Sequence, residues 1–156
     1  MRQVYISSLI ILFLFLGCSQ EDEAPQKDAF IFGWWSAFCT GNCIKIYKLE
    51  NGRLYADNMN SFREAAIITY KSQPLDPQWL SIAQGLEEKF PQFLRNNPFA
   101  VIGCPDCDDQ GAIYFAFENR TGIMYWQVDT DPGTWPEEIK PYMESVLQAI
   151  DQLPQD

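Results

Sequence analysis

The chain has 156 residues, of which 47% are apolar and 15% aromatic, with a net charge of −10 and no histidine. That much apolar material excludes an intrinsically disordered chain. The acidic balance argues against a nucleic-acid partner, which needs clustered Lys and Arg, and the missing histidine removes the usual general base and the commonest metal ligand.

Arg2 is the only charge before Glu21, and residues 4–16 are apolar apart from Ser7 and Ser8. As a helix, that stretch rises about 20 Å, short of the about 30 Å hydrocarbon core of a bilayer. Residues 1–17 therefore read as a signal peptide, not a membrane span. The segment ends in Phe15-Leu16-Gly17-Cys18. This resembles the lipobox of bacterial lipoproteins. The resemblance implies that Cys18 is the lipidation site and the mature N-terminus. Several acyl chains, at about 0.8 kcal/mol per buried CH₂, anchor a protein stably. The membrane is thus an implied partner, through a lipid anchor. Residues 18–27 are polar and acidic and read as a flexible tether. Ser19 after the cysteine is similar to the sorting pattern for the outer membrane of Gram-negative bacteria. Glu21-Asp22-Glu23 resembles an acidic surface-export signal. Together they imply an outer-membrane lipoprotein, surface-exposed or facing the periplasm.

Residues 28–156 read as a single α+β domain, mostly an antiparallel sheet with two helices on one face. Residues 30–38 are β-prone and predict a first strand. Residues 44–49 and 53–57 predict a hairpin, because Asn51-Gly52 between them accepts φ > 0 at both positions. Residues 65–70, with Ile67, Ile68 and Thr69, predict another strand. Asp76-Pro77 opens a helix with a capping carboxylate and a proline suited to the first turn. Trp79, Leu80, Ile82, Ala83, Leu86 and Phe90 then recur at helical spacing until Pro91 interrupts. Residues 99–102 predict a short strand. Residues 112–118 and 122–128 predict a second hairpin around Asn119-Arg120-Thr121-Gly122. A last helix is expected from Pro136, with Ile139, Met143, Val146, Leu147 and Ile150 on its apolar face. The order cysteine pair, hairpin, Asp-Pro, helix occurs twice and reads as a tandem ββα repeat.

Four cysteines remain beyond Cys18: Cys39, Cys43, Cys104 and Cys107. An even number in an exported chain reads as disulfides. Three connectivities are open, and 39–43 with 104–107 is the easiest by spacing. Each such short loop stabilises by about 2 kcal/mol in the chain-entropy model. A redox site at Cys104-Pro105-Asp106-Cys107 is one alternative. It is disfavoured because Asp106, Asp108 and Asp109 oppose a thiolate. A zinc site of all four cysteines is the other, disfavoured by an oxidising envelope. The acidic turns lack the ligand order of a calcium loop. Phe38-Cys39-Thr40-Gly41-Asn42-Cys43, with the hairpin after it, resembles a Cys-x-Gly-x-Cys motif of bacterial lipoprotein domains of unknown function. That resemblance implies a hairpin and no activity.

No phosphate-binding or dinucleotide glycine pattern is present, and no serine nucleophile has a histidine base, so no catalytic residue, metal or cofactor is expected. Trp34, Trp35, Tyr125 and Trp126 are candidates for stacking on a ligand. With helices on one sheet face, the other face would show aromatics to a glycan or a protein. The expectation is a non-catalytic, membrane-anchored interaction module.

Overall fold

The computed structural model describes residues 28–61 and 67–155. Residues 1–27, with Cys18 and the stretches read above as signal peptide and tether, lie outside the described residues. So do the first two positions of the strand expected at 65–70.

Six strands form one sheet: β1 (Ala29–Trp35), β2 (Ile44–Glu50), β3 (Arg53–Ala56), β4 (Val101–Ile102), β5 (Ala112–Asn119) and β6 (Gly122–Asp129), in the order β3-β2-β1-β5-β6-β4. All pairings are antiparallel except β4 with β6. Three helices are present: α1 (Leu80–Glu88), α2 (Gln92–Asn96) and α3 (Lys140–Gln152). The α+β class read from sequence is therefore the fold observed.

Local chemistry accounts for the joints. Asn51 and Gly52 hold φ of 50° and 70°, as a two-residue hairpin turn requires. The Asp76 carboxylate accepts from the Gln78 N–H (2.9 Å) and starts a 3₁₀ turn over Pro77–Trp79 that runs into α1. Asp131 does the same for Gly133 (2.8 Å) at Pro132–Thr134. Pro91 stops α1, and the chain restarts as α2, a third helix on the same face. The last helix begins at Lys140 rather than Pro136, with Pro141 in its first turn, where no N–H is missed.

Strand alternation divides the apolar residues between two faces. Phe30, Phe32, Tyr47, Phe115, Phe117 and Trp126 meet Ala83, Leu86, Phe90, Leu94 and Met143 of the helices. Phe90 sits at the centre, edge-on to Phe115, Phe117 and Tyr142. The Arg95 guanidinium lies over the Phe90 and Phe117 rings at 5.2 and 4.8 Å. It closes the rim of this layer by cation–π contact.

Two expectations are corrected. No strand is found at 67–70; Tyr70 makes only an isolated bridge with Asp57. The chain crosses the second sheet face instead, laying Met59, Ile68 and Tyr70 over Ile31, Trp35, Ile44, Ile46 and Tyr114. It then caps the β3 edge, with Lys71 and Leu75 N–H groups donating to the Ala56 and Leu54 carbonyls (2.9 and 2.8 Å). The ββα repeat also fails. The order of elements recurs, yet the two hairpins extend outward from β1 in opposite directions. Both first strands run antiparallel to β1, and both helices lie on the same face. Units arranged so are of opposite hand, and no rotation superposes them.

Candidate binding surface

The four aromatic candidates separate by strand position. Trp34 and Trp35 point to opposite faces, as neighbours on a strand must. Trp35 is 8% exposed, because the crossing segment covers its face. Trp126 is 1% exposed on the helix face, where its indole N–H reaches the Leu94 and Asn97 carbonyls (2.9 and 2.8 Å). Neither can stack on a ligand, which corrects the expectation for both. Trp34 is half-buried against the helix-side layer, with its N–H directed at the Gln110 carbonyl (3.4 Å). Tyr125 is likewise half-buried, packed beside the second-face layer at the β6 side of the sheet. Its neighbours make that side apolar.

Of six large exposed apolar side chains among the described residues, three gather here: Phe99 (53% exposed), Val101 (61%) and Ile123 (43%). The pairing Val101↔Gln127 puts Val101 on the same face as Ile123 and Tyr125; Met124 lies on the other. Phe99 sits edge-on to Tyr125, with ring centroids 5.4 Å apart. Tyr125 lies nearly parallel to Tyr114 at 6.4 Å, across the small Ala116 that pairs with it. Burial pushes the Tyr114 phenol up to about 12, with Tyr125 and Glu118 adding to the effect, so it stays neutral.

Phe99 has φ of 64°. A bulky side chain in the left-handed region is a true outlier, costing about 1–2 kcal/mol. Its aromatic ring is thus held outward, at an energetic cost, over an accessible sheet edge. Strain of this kind concentrates at functional positions. Sequence reasoning missed Phe99 as a site residue. It reads as the start of an apolar strand, and nothing in Asn96-Asn97-Pro98-Phe99 marks a left-handed phenylalanine.

The cysteines occupy the opposite role, at one end of the sheet. Cys39 and Cys43 stand at disulfide-bonding distance between β1 and β2 (Cα–Cα 5.6 Å), and Cys104 and Cys107 do so between β4 and β5 (5.5 Å). Among the described residues, no group of three or more His, Cys, Asp or Glu side chains is placed to hold a metal ion, and the four cysteines stand as two pairs. The acidic residues beside them serve the backbone. The two Asp106 carboxylate oxygens accept from Ala37 and Gly111 N–H groups (2.8 and 2.9 Å). Asp129 accepts from Cys104 and Asp131 N–H groups (2.9 and 3.0 Å) and from the Gln110 amide (3.1 Å). Sequence spacing shows the acidic cluster but not these acceptor roles.

Among the described residues no helix is long and apolar enough to cross a membrane. In comparisons with known proteins, no family model, no curated protein and no solved structure matches this chain.

Proposed function

We propose that this chain is a lipid-anchored envelope module that binds a glycan or protein partner through the Phe99–Tyr125 surface. The carrying observation is Phe99: half exposed, held at positive φ and set edge-on to Tyr125. Rings fixed in place lose little entropy when a sugar face or an apolar side chain settles on them. The lipobox Phe15-Leu16-Gly17-Cys18 supports attachment to the outer membrane of a Gram-negative cell, and residues 18–27 would hold the domain off the bilayer. In this reading the role is binding and not catalysis, with the disulfides as staples.

The test compares the mature chain with Phe99→Ala and Tyr125→Ala on immobilised envelope polysaccharide and on envelope protein from the same cells. Loss of one stacking ring should weaken binding about tenfold, a size typical of an interface aromatic. The melting temperature of Tyr125→Ala should change little. Undiminished binding by both variants on both supports would remove this surface as the site.

A further inference from the structure

The sheet has two edges, and the chain treats them differently. The β3 edge is covered by the Lys71 and Leu75 N–H groups. On the other side, β4 pairs with β6 only at Gln127 and Val128. The Gln127 N–H donates outward to the Ala100 carbonyl (3.2 Å). Backbone polar groups alternate in direction along a strand, so Ile123 and Tyr125 also turn their N–H and C=O outward, while those of Met124 and Trp126 face β5. Among the described residues no strand lies beyond Ile123 and Tyr125. Phe99 ends the pairing of β4. Its φ of 64° turns the chain out of the extended run, and Asn97 lies on the helix face, where its carbonyl accepts from the Trp126 indole N–H (2.8 Å). The strained residue thus leaves residues 122–125 as an open edge. That edge carries no charge and no proline, the usual means of blunting one. Ile123 stands exposed on one side of it and Met124 on the other.

We propose that the open edge of β6 takes an added β-strand: an extended segment of another protein, with apolar side chains at alternate positions and Lys or Arg at its ends. This rests on the binding role of the Phe99–Tyr125 surface and narrows its partner to protein. Outward N–H and C=O groups on residues two apart match an extended backbone, which carries the same groups at the same spacing. A glycan has no such repeat. Apolar side chains on alternate residues of the segment meet Phe99, Val101 and Ile123 on one face. The charge of the segment follows from that of the chain. A net charge of −10, with exposed Glu118 paired to Ile123, favours a basic segment and opposes a second copy of this acidic chain.

The experiment follows amide hydrogen exchange by NMR in the folded mature chain, with the peptide Lys-Lys-Val-Thr-Val-Thr-Val-Lys-Lys as probe. In the free protein, Ile123 and Tyr125 should exchange faster than Met124 and Trp126. At saturating peptide the Ile123 and Tyr125 amides should slow about tenfold while their neighbours stay unchanged. Methylating one alternate set of peptide amides should weaken binding about tenfold, and methylating the other set should not, since only the first set donates to the edge. Glutamates in place of the peptide lysines should weaken binding as well. Ile123→Pro removes an outward donor and no β5 bond, so it should weaken binding about as much at an unchanged melting temperature. Absence of the alternating protection, or equal binding by the two methylated peptides, would overturn strand addition. Protection that grows with protein concentration alone would assign the edge to a second copy and overturn it too. If Phe99→Ala and Tyr125→Ala still lose envelope binding in either event, the ring surface stands and only the added strand falls.

Discussion

Asp129 and Asp57 are both buried carboxylates, and their surroundings push them in opposite directions. Desolvation raises Asp129, but donors from Asp131, Cys104, Gln110 and Thr130 outweigh it and leave its carboxyl below the usual range. Desolvation also raises Asp57, and there the Ile46 and Met59 N–H donors do not compensate, so its carboxyl stays above the usual range. The signs follow by linkage. Asp129 contributes stability that is present above the ordinary aspartate pKa of 3.8 and lost as pH falls through its lower folded value. Asp57 contributes stability that is present below 3.8 and lost as pH rises through its higher folded value. Urea melts at stepped pH should show Asp129→Asn flattening the loss on the acid side, while Asp57→Asn flattens the opposite slope. Asp129→Asn should also cost about 1–3 kcal/mol near neutral pH, because its amide turns a donor toward an N–H. Neither role was legible in sequence, where Asp57 ends one expected strand and Asp129 follows another.

At the scale of elements, β1 is the strand everything else depends on, and Gly33 is the residue that lets it sit there. A Cβ at Gly33 would lie 2.1 Å from the Lys45 carbonyl oxygen and 2.6 Å from the Ile46 Cα. Both are backbone atoms of β2, which cannot step aside without breaking the ladder. Gly33→Ala is expected to cost about 3 kcal/mol through overpacking, read from the shift of the urea midpoint at constant slope. Other elements declare themselves in sequence because their chemistry is local. Asn51-Gly52 makes the hairpin turn, Asp76-Pro77 starts α1, and Pro91 ends it. Residues 67–70 do not, since their branched side chains suit a strand but their backbone meets only one bridge, at Tyr70. They cover a face rather than extend an edge, and tertiary position decides between those uses.

For the whole molecule, attachment and binding are separable. The proposed anchor rests on Cys18 alone, while the surface rests on Phe99, Val101, Ile123 and Tyr125 in the folded domain. Cys18→Ser should move the protein from the membrane fraction to the soluble fraction of lysed cells, because one signal-peptide helix of this length does not span. The purified variant should keep the melting temperature of the mature chain. Retention of Cys18→Ser in the membrane fraction after alkaline washing would count against lipid anchoring.

Local pattern was enough to set the α+β class, both hairpins and the start of α1, because each follows from backbone preferences within a few residues. Exposure was not. Four aromatics looked alike as stacking candidates, yet Trp126 lies under α2, Trp35 lies under Met59, Ile68 and Tyr70, and Trp34 is held by Gln110. Tyr125 stays half-buried, joined by an exposed phenylalanine that no sequence rule would place in a left-handed conformation. Which face a side chain takes depends on its own strand's alternation. Whether that face is covered depends on segments distant in the chain, and that is settled only when the sheet, helices and crossing assemble.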